Sequence, residues 1–428
     1  MVARGPGLAT IAAVVLACTT AHAEPRSLDT TLEPYLARYA LPALAAAVVR
    51  DGEVIAAGAV GTRRIGTQAS VTIDDRFHLG SDTKAMTALL AAMDVEAGTL
   101  RWDSTVAEVL PEMRLQMDPR LRGVTLTQLL SHTSGVPADN PAVIDLIDKW
   151  SVRDGNLDVL RAGLIGEWVA LPLANPPGAT FTYANMNYVL VGVMLERISG
   201  RTWDELITER VFTPLGLRSA GLGPQSSLGR VDAPLGHAVV DGKTTAFLAG
   251  PDGDNPAILG PAGIAHMSVL DFARWAGWNA GEGKRGPQLV QAETMRTLHT
   301  KVISMARPDA PPGTPPSGGY GLGWGELEVD WAPAPLLFHG GSNGKNLAHI
   351  WVEPSRDLAI VLMTNISNPQ ADEGLRALAA ALYGTYLAAG APALPTAAPT
   401  LAPTRPPRST PTAARAYFPN DTRRGVGR

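Results

Sequence analysis

The sequence has a single cysteine, only six lysines and no long uninterrupted run of apolar residues. Cys18 lies near the N-terminus, so the remainder of this chain offers neither a disulfide nor a cysteine nucleophile. No segment supplies the roughly 18 consecutive apolar residues that a membrane-spanning helix requires. The 36 Lys and Arg residues do not exceed the 40 Asp and Glu residues and are scattered, which argues against a nucleic acid partner.

What remains is the composition of a globular enzyme: 428 residues, 45% hydrophobic and 18% charged, enough to bury a large core. Residues 1 to 23 have an export pattern, with Arg4, a short apolar stretch over 8 to 18, and a small-x-small cleavage site at Ala21 and Ala23. We expect a signal peptide and a periplasmic or extracellular location. The alternative is a lipid anchor on Cys18, for which Leu16 is a poor fit.

The element pattern predicts an α/β fold. Apolar runs on either side of Asp51 and Gly52, over 43 to 61, predict a hairpin. Strands are predicted over 336–339, 347–352 and 358–365, and helices over 84–96, 188–198 and 372–387. Strands at both chain ends indicate one antiparallel sheet, flanked by helices, beside a mainly helical second lobe.

The predicted domain covers residues 24–389, with a sheet lobe at about 30–80 and 320–388 and a helical lobe at about 100–310. Residues 390–428 are rich in Pro, Ala and Thr, a composition that favours a disordered tail. A cleft between the lobes is the expected site.

Ser81 precedes Lys84 by one helical turn, a spacing that places the two side chains on one face about 5 to 6 Å apart at Cβ. A serine hydroxyl needs an adjacent base, and a lysine serves if its pKa is lowered. The plain alternative is a helix-capping serine with a solvated lysine. Ser342 and Lys345 repeat the spacing, but Gly344 and the neighbouring strand runs argue against a shared helical face there.

Tyr183 and Asn185 lie on a loop that leads into the helix predicted over 188–198. A lysine charge can lower the pKa of a nearby tyrosine and make it a general base, and an asparagine can contact a substrate amide. A buried tyrosine beside a capping asparagine would explain the same pattern without catalysis.

His339, Gly340, Gly341 and Ser342 end a strand run. Two glycines let a substrate approach the backbone closely, and exposed N–H groups of an edge strand can bind an oxyanion. No second ligand stands at metal-ligand spacing beside His132, so no metal is expected.

The three motifs in this order resemble the serine β-lactamase and penicillin-binding protein superfamily, in particular its class C and D-alanyl carboxypeptidase branch. Similar stretches lie at 129–135, 185–192, 320–324 and 363–365. The resemblance implies a β-lactamase/transpeptidase-like fold and an acyl-enzyme on Ser81, with Lys84 and Tyr183 moving protons. It also implies Asn185 as a substrate contact, backbone N–H groups of Ser81 and Ser342 as the oxyanion hole, and no cofactor.

One difference from the motifs of class C β-lactamases concerns the expected substrate. His339, Gly340 and Gly341 stand where class C β-lactamases have lysine, threonine and glycine, so a fixed charge for a substrate carboxylate is missing. We therefore expect a small-molecule or peptidoglycan-like substrate, with esterase or D-alanyl peptidase activity favoured over efficient β-lactamase activity.

Two rival hypotheses remain. Residues 340–344 also fit the glycine-x-serine-x-glycine elbow of α/β-hydrolases, which requires a helix directly after the serine. A penicillin- or peptidoglycan-binding module without turnover would use the same fold and residues.

Overall fold

The computed structural model describes residues 24–250, 253–306 and 317–387. In chain order its strands are β1 (Arg26–Ser27), β2 (Ala43–Arg50), β3 (Glu53–Gly61), β4 (Arg76–His78), β5 (Gly221–Leu222), β6 (Gly236–Val240), β7 (Lys243–Phe247), β8 (Ala265–Ser268), β9 (Ile303–Ala306), β10 (Ser317–Tyr320), β11 (Gly325–Leu327), β12 (Leu336–Ser342), β13 (Leu347–Glu353) and β14 (Leu358–Thr364). The signal peptide, Cys18 and the tail predicted over 390–428 lie outside the described residues.

The α-helices, again in chain order, are α1 (Asp29–Arg38), α2 (Thr83–Glu96), α3 (Val106–Val109), α4 (Leu126–Leu130), α5 (Pro141–Ser151), α6 (Leu157–Trp168), α7 (Asn185–Ser199), α8 (Trp203–Ile207), α9 (Gly260–Gly263), α10 (Val269–Ala280), α11 (Ala292–His299) and α12 (Pro369–Leu387). No helix in these described parts of the chain is both long and apolar enough to cross a membrane.

One large sheet assembles from both ends of the chain, as the sequence predicts. Its strand order is β1-β3-β2-β14-β13-β12-β11-β10-β9. All neighbours pair antiparallel except β1 with β3, which pair parallel. The sheet reaches beyond the expected segments, since β1 and β9 also join it.

The sheet is buried on both faces, which explains the continuous apolar character of β2. Ala45, Ala47 and Val49 face the core beneath α10. Leu44, Ala46 and Val48 alternate with them and face α1 and α12. This period of two is the geometry of a strand covered on each side, so every β2 residue from Ala43 to Val49 can be apolar.

The local predictions hold with small shifts. The hairpin turns at Asp51 (φ 53°) and Gly52 (φ 79°), left-handed positions typical of a two-residue turn. The helix α7 begins three residues earlier than predicted and ends at Gly200, whose φ is 68°.

Two details go beyond the predicted pattern. Residues between about 100 and 310 are mainly helical, as expected, and also contain β9 of the large sheet and the short strands β5 to β8. β8 pairs with β4 and β5 in one small sheet, and β6 pairs with β7 in another. The strand predicted to end at His339 continues through Ser342, because its backbone keeps pairing with β13 as far as Leu347.

Candidate active site

Ser81 lies in a single 3-10 turn, Gly80 to Asp82, directly before α2. The turn follows β4 and is held by hydrogen bonds from Leu79 N–H to Ala265 O (2.8 Å) and from Thr83 Oγ1 to Gly80 O (2.7 Å). Ser81 is therefore fixed at the N-terminal end of a buried helix, where backbone N–H groups favour negative charge.

The Lys84 amine is wholly buried and has three acceptors. Its Nζ lies 3.0 Å from Ser81 Oγ, 2.7 Å from Asn185 Oδ1 and 2.7 Å from the carbonyl oxygen of Ala262. The predicted adjacency of Ser81 and Lys84 is present, and the alternative of a solvated lysine is wrong. The Ala262 carbonyl belongs to α9 and had no signal in the sequence.

Burial lowers the pKa of Lys84 to about 7, while the carboxyl groups of Asp139 and Asp82 oppose this fall. A charged amine is costly in a low-dielectric site, so the neutral form becomes accessible near neutral pH. Neutral Lys84 can accept a proton from the Ser81 hydroxyl, which lies within hydrogen-bond distance.

Tyr183 lies beside the amine, with Lys84 Nζ 4.8 Å from the centre of its ring. The residue keeps 37% of its accessible surface, but desolvation of its hydroxyl raises the pKa of Tyr183, and a hydrogen bond with Ser81 opposes this rise. The sequence-based expectation of a lowered tyrosine pKa is therefore wrong. Lys84 lends little positive charge because its own burial favours the neutral amine.

His132 holds the loop that carries Tyr183. Its carbonyl oxygen accepts from Thr182 N–H (2.8 Å), its Nδ1 accepts from Ala184 N–H (3.3 Å), and its ring centre lies 4.3 Å from that of Tyr183. Burial holds the pKa of His132 well below its usual range, so the ring is a neutral acceptor.

Asn185 is engaged at both ends of its amide. Oδ1 accepts from Lys84, and Nδ2 donates to Asp139 Oδ2 at 2.6 Å. The structure thus places Asn185 as an orienting partner of the amine. Asp139 was missed from the sequence because nothing in its neighbourhood marks it; only the fold brings it beside Asn185, 46 positions away.

The end of β12 lies against the Ser81 turn so closely that two glycines are required. A Cβ on Gly80, whose φ is +52°, would lie 2.2 Å from Ser342 N, and one on Gly341 would lie 1.8 Å from Leu79 O. This contact brings Ser81 and Ser342 to the lining of the same cavity. β11 pairs with β12 only as far as Phe338, so no described strand covers β12 beyond it on that side.

His339 is buried and accepts at Nε2 from Tyr320 Oη, 2.9 Å away, while its Nδ1 contacts Gly340 O at 3.0 Å and Asp82 Oδ1 at 3.6 Å. Burial and the neighbouring Lys84 lower the pKa of His339 to about 3. The imidazole is therefore neutral at pH 7 and supplies no fixed charge for a substrate carboxylate.

Ser342 Oγ donates to Ser367 Oγ at 2.8 Å and accepts from Gly344 N–H at 2.9 Å, so its hydroxyl is engaged away from Lys345. The chain passes from Ser342 into β13 without a helix, so the α/β-hydrolase elbow is wrong. The second serine-x-x-lysine match has no catalytic geometry.

A cavity of about 440 Å³ opens above Ser81 and the outer face of β12. Its lining includes the apolar side chains Phe181, Tyr320, Leu327, Phe338 and Leu347. At its far end Arg376 contacts Asp372, with Nε 2.9 Å from Oδ2. A larger and more open depression of about 660 Å³, around Arg218 and Arg274, contains none of the three motifs.

A serine beside a buried lysine and a tyrosine, set where the end of β12 meets a helix N-terminus, defines the class of serine hydrolases built on the β-lactamase and penicillin-binding protein fold. The chain belongs to the Beta-lactamase family, whose model matches residues 28–385. The resemblance stated from the sequence is confirmed.

Penicillin-binding protein 4 of Amycolatopsis lactamdurans is 29% identical over 328 residues, which are 76% of this chain and 81% of that protein. A D-stereospecific amidohydrolase from Streptomyces sp. superposes with a TM-score of 0.61 at 22% identity, covering 81% of this chain and 96% of the other. EstCE1, described as a hydrolase with promiscuous acyltransferase activity, reaches 0.66 at 20% identity, with the same coverage of 81% and 96%. At these identities the two structures establish the fold alone.

Proposed function

We propose that this protein is an acyl hydrolase that forms an acyl-enzyme on Ser81 and prefers uncharged ester or D-amino acid amide substrates over β-lactams. The observation that carries the proposal is the wholly buried amine of Lys84, 3.0 Å from Ser81 Oγ, with a pKa lowered to about 7. A nucleophile paired with a base of matched pKa is what acyl transfer at neutral pH requires.

In acylation, Ser81 Oγ attacks the substrate carbonyl carbon and its proton passes to the neutral amine of Lys84. The carbonyl oxygen becomes an oxyanion that the N–H groups of Ser81 and Ser342 stabilise. Collapse of this intermediate breaks the bond to the leaving group. Water then attacks the acyl-enzyme by the same proton path, releases the acid and restores the Ser81 hydroxyl.

Tyr183 acts as the proton donor to the leaving group in this scheme. Its raised pKa keeps the hydroxyl protonated at neutral pH, and its hydrogen bond with Ser81 places it at the reacting oxygen. Lys84, protonated in the attack, returns a proton to Tyr183. Asn185 orients the amine, and Asp139 orients Asn185.

The proposed substrate preference rests on the charges and the apolar side chains that line the cavity. His339 is neutral, and the guanidinium that lines the cavity, Arg376, is already paired with Asp372. A substrate carboxylate therefore meets no free fixed cation among the described lining residues. The apolar side chains of the cavity favour an apolar group on the substrate, because burial of apolar surface contributes about 25 cal/mol per Å².

The test is intact-protein mass spectrometry after parallel incubation with a fluorophosphonate, a penicillin and p-nitrophenyl butyrate, with peptide mapping of each adduct. The expected result is a Ser81 adduct, turnover of the ester and little penicillin hydrolysis. Fast penicillin hydrolysis would contradict the preference. A stable penicillin adduct with no turnover of any ester would favour the binding-module alternative.

The cellular location of the protein is a separate proposal. We infer export from the pattern of residues 1 to 23. N-terminal sequencing of the protein from the producing cell's exterior fraction should begin at Glu24, and retention of Met1 in a cytosolic protein would contradict export.

A further inference from the structure

Behind the oxyanion hole lies a buried carboxylate that the proposed chemistry does not use. Asp254 stands in the loop before α9, and its side chain is 5% exposed. Its Oδ1 lies 2.8 Å from His78 Nε2 and accepts from Asn343 Nδ2 at 2.9 Å and from Asn255 N–H at 2.7 Å. One carboxylate oxygen therefore contacts groups from two distant parts of the chain.

His78 connects Asp254 to the nucleophile turn. Its Nδ1 accepts from Gly80 N–H at 3.0 Å, so the other ring nitrogen, Nε2, is the one that faces Asp254. The approach of Nε2 to Oδ1 is short but imperfectly aligned. Since the His78 ring is 0% exposed, these are the contacts that fix its orientation.

Asn343 connects Asp254 to the segment that carries Ser342. Its Oδ1 accepts from Asn346 N–H at 2.9 Å and from Lys345 N–H at 3.2 Å, which folds the turn directly after Ser342. The Asn343 amide thus holds the end of β12 while its Nδ2 is held by Asp254. The two segments that supply the oxyanion donors meet at Gly80 and Gly341.

From this geometry we propose that Asp254 is a positioning residue for the oxyanion hole, acting through His78 on the Ser81 segment and through Asn343 on the Ser342 segment. The proposal rests on the acyl-transfer function proposed above. A displacement of well under about 1 Å between the N–H groups of Ser81 and Ser342 weakens their hydrogen bonds to the substrate oxygen. These bonds contribute most when charge develops on that oxygen in the transition state. The effect therefore falls on kcat rather than on KM.

The test compares Asp254→Ala, Asp254→Asn and Asp271→Ala with the full wild-type chain. We measure the rate constant for fluorophosphonate labelling of Ser81, and kcat and KM for p-nitrophenyl butyrate per labelled site. Asp271 is the matched control, since its side chain is 7% exposed against 5% for Asp254 but bonds Ser219 and Arg274 instead. Dividing each rate by the concentration of labelled Ser81 corrects for any loss of folded protein.

Asp254→Ala should lower kcat and the labelling rate about 10- to 100-fold with KM changed less than about 3-fold. Asp254→Asn should recover most of the loss, because its amide oxygen still faces His78 and accepts from Asn343. Asp271→Ala should lower thermal stability but keep the wild-type kcat per site.

Four outcomes would overturn the proposal. If Asp254→Ala labels and turns over at wild-type rates, Asp254 does not position the donors. If Asp254→Asn is as impaired as Asp254→Ala, or if Asp271→Ala loses kcat equally, the role is generic support of the fold. If wild-type Ser81 does not label at all, the acyl-enzyme function itself is wrong, and the positioning proposal falls with it.

Discussion

The amine of Lys84 lies 3.0 Å from the hydroxyl oxygen of Ser81 and has no exposure to solvent. Burial makes the charged form of the amine costly. The fold therefore places the base beside the nucleophile and also lowers the pKa of that base. A solvent-exposed lysine at the same distance would remain charged at neutral pH and could not accept the serine proton.

The first prediction is a pH profile. Because the pKa of Lys84 is lowered to about 7 and its neutral form is the base, kcat/KM for p-nitrophenyl butyrate should rise with pH through about 7 and then level off. Asp139→Asn should move this limb to lower pH, since the Asp139 carboxylate opposes the fall of the Lys84 pKa. A limb that stays in place, or moves upward, would contradict the assignment of the base.

The second prediction separates the two serines. Ser81→Ala should abolish adduct formation and lower ester hydrolysis by about 10³-fold or more, because the nucleophile is lost. Ser342→Ala should keep much of the activity, since the mechanism uses only its backbone N–H. Mass spectrometry and initial rates check both variants, and an active Ser81→Ala beside an inactive Ser342→Ala would refute the mechanism.

The third prediction uses two adjacent glycines. Gly341→Ala should lower kcat by about 10² to 10³-fold, because its Cβ would lie 1.8 Å from Leu79 O and would separate the oxyanion donors. Gly340→Ala is the matched control. Its Cβ would lie 3.2 Å from the tip of the Phe338 ring, which can move. Equal losses from both substitutions would argue against the required contact.

The fourth prediction concerns His339. With a pKa of about 3 the imidazole stays neutral down to acidic pH, whereas Lys84 gains charge below about pH 7. The KM ratio between a carboxylate-bearing ester and its methyl ester should therefore change with pH in the same way in the wild type and in His339→Gln, measured from pH 8 to pH 5. A preference for the carboxylate that grows as pH falls through about 6.5 in the wild type alone would show that His339 titrates in the site.

The fifth prediction concerns stability of the helical lobe. Arg161 is 0% exposed and pairs with Glu196 and Asp204. Arg161→Met leaves the Glu196 carboxylate buried without its partner and should destabilise the fold by about 3 to 5 kcal/mol in urea unfolding. Lys149→Met removes an exposed pair with Glu167 and should change stability little. Similar losses of unfolding free energy from both substitutions would contradict the view that burial makes the Arg161 ion pairs important for stability.

Residues close together in the chain were predictable. Asp51 and Gly52 set the hairpin because their backbone angles suit a two-residue turn. Ser81 and Lys84 share a helical face because the spacing of three residues is fixed by helix geometry. Apolar strand runs at both ends of the sequence indicated a common sheet, since such runs must pair and be covered.

The tertiary structure decided the chemistry of these groups. The pKa of Lys84 depends on burial against Ala262 and on Asp139, which lies more than 50 positions away in the chain. The same burial raises the pKa of Tyr183, against the expectation from a lysine neighbour alone. A motif specifies which groups meet, but desolvation is a property of everything packed around them.

The amino-acid sequence by itself determined the family, the order of the motifs and the local elements that carry Ser81 and Lys84. Only the folded chain determined that the Gly80 and Gly341 segments meet, that His339 is neutral, and that Asp254 contacts His78 and Asn343. The physical reason is range: backbone conformation is set by neighbours in the chain, whereas close contact and burial are set by neighbours in space.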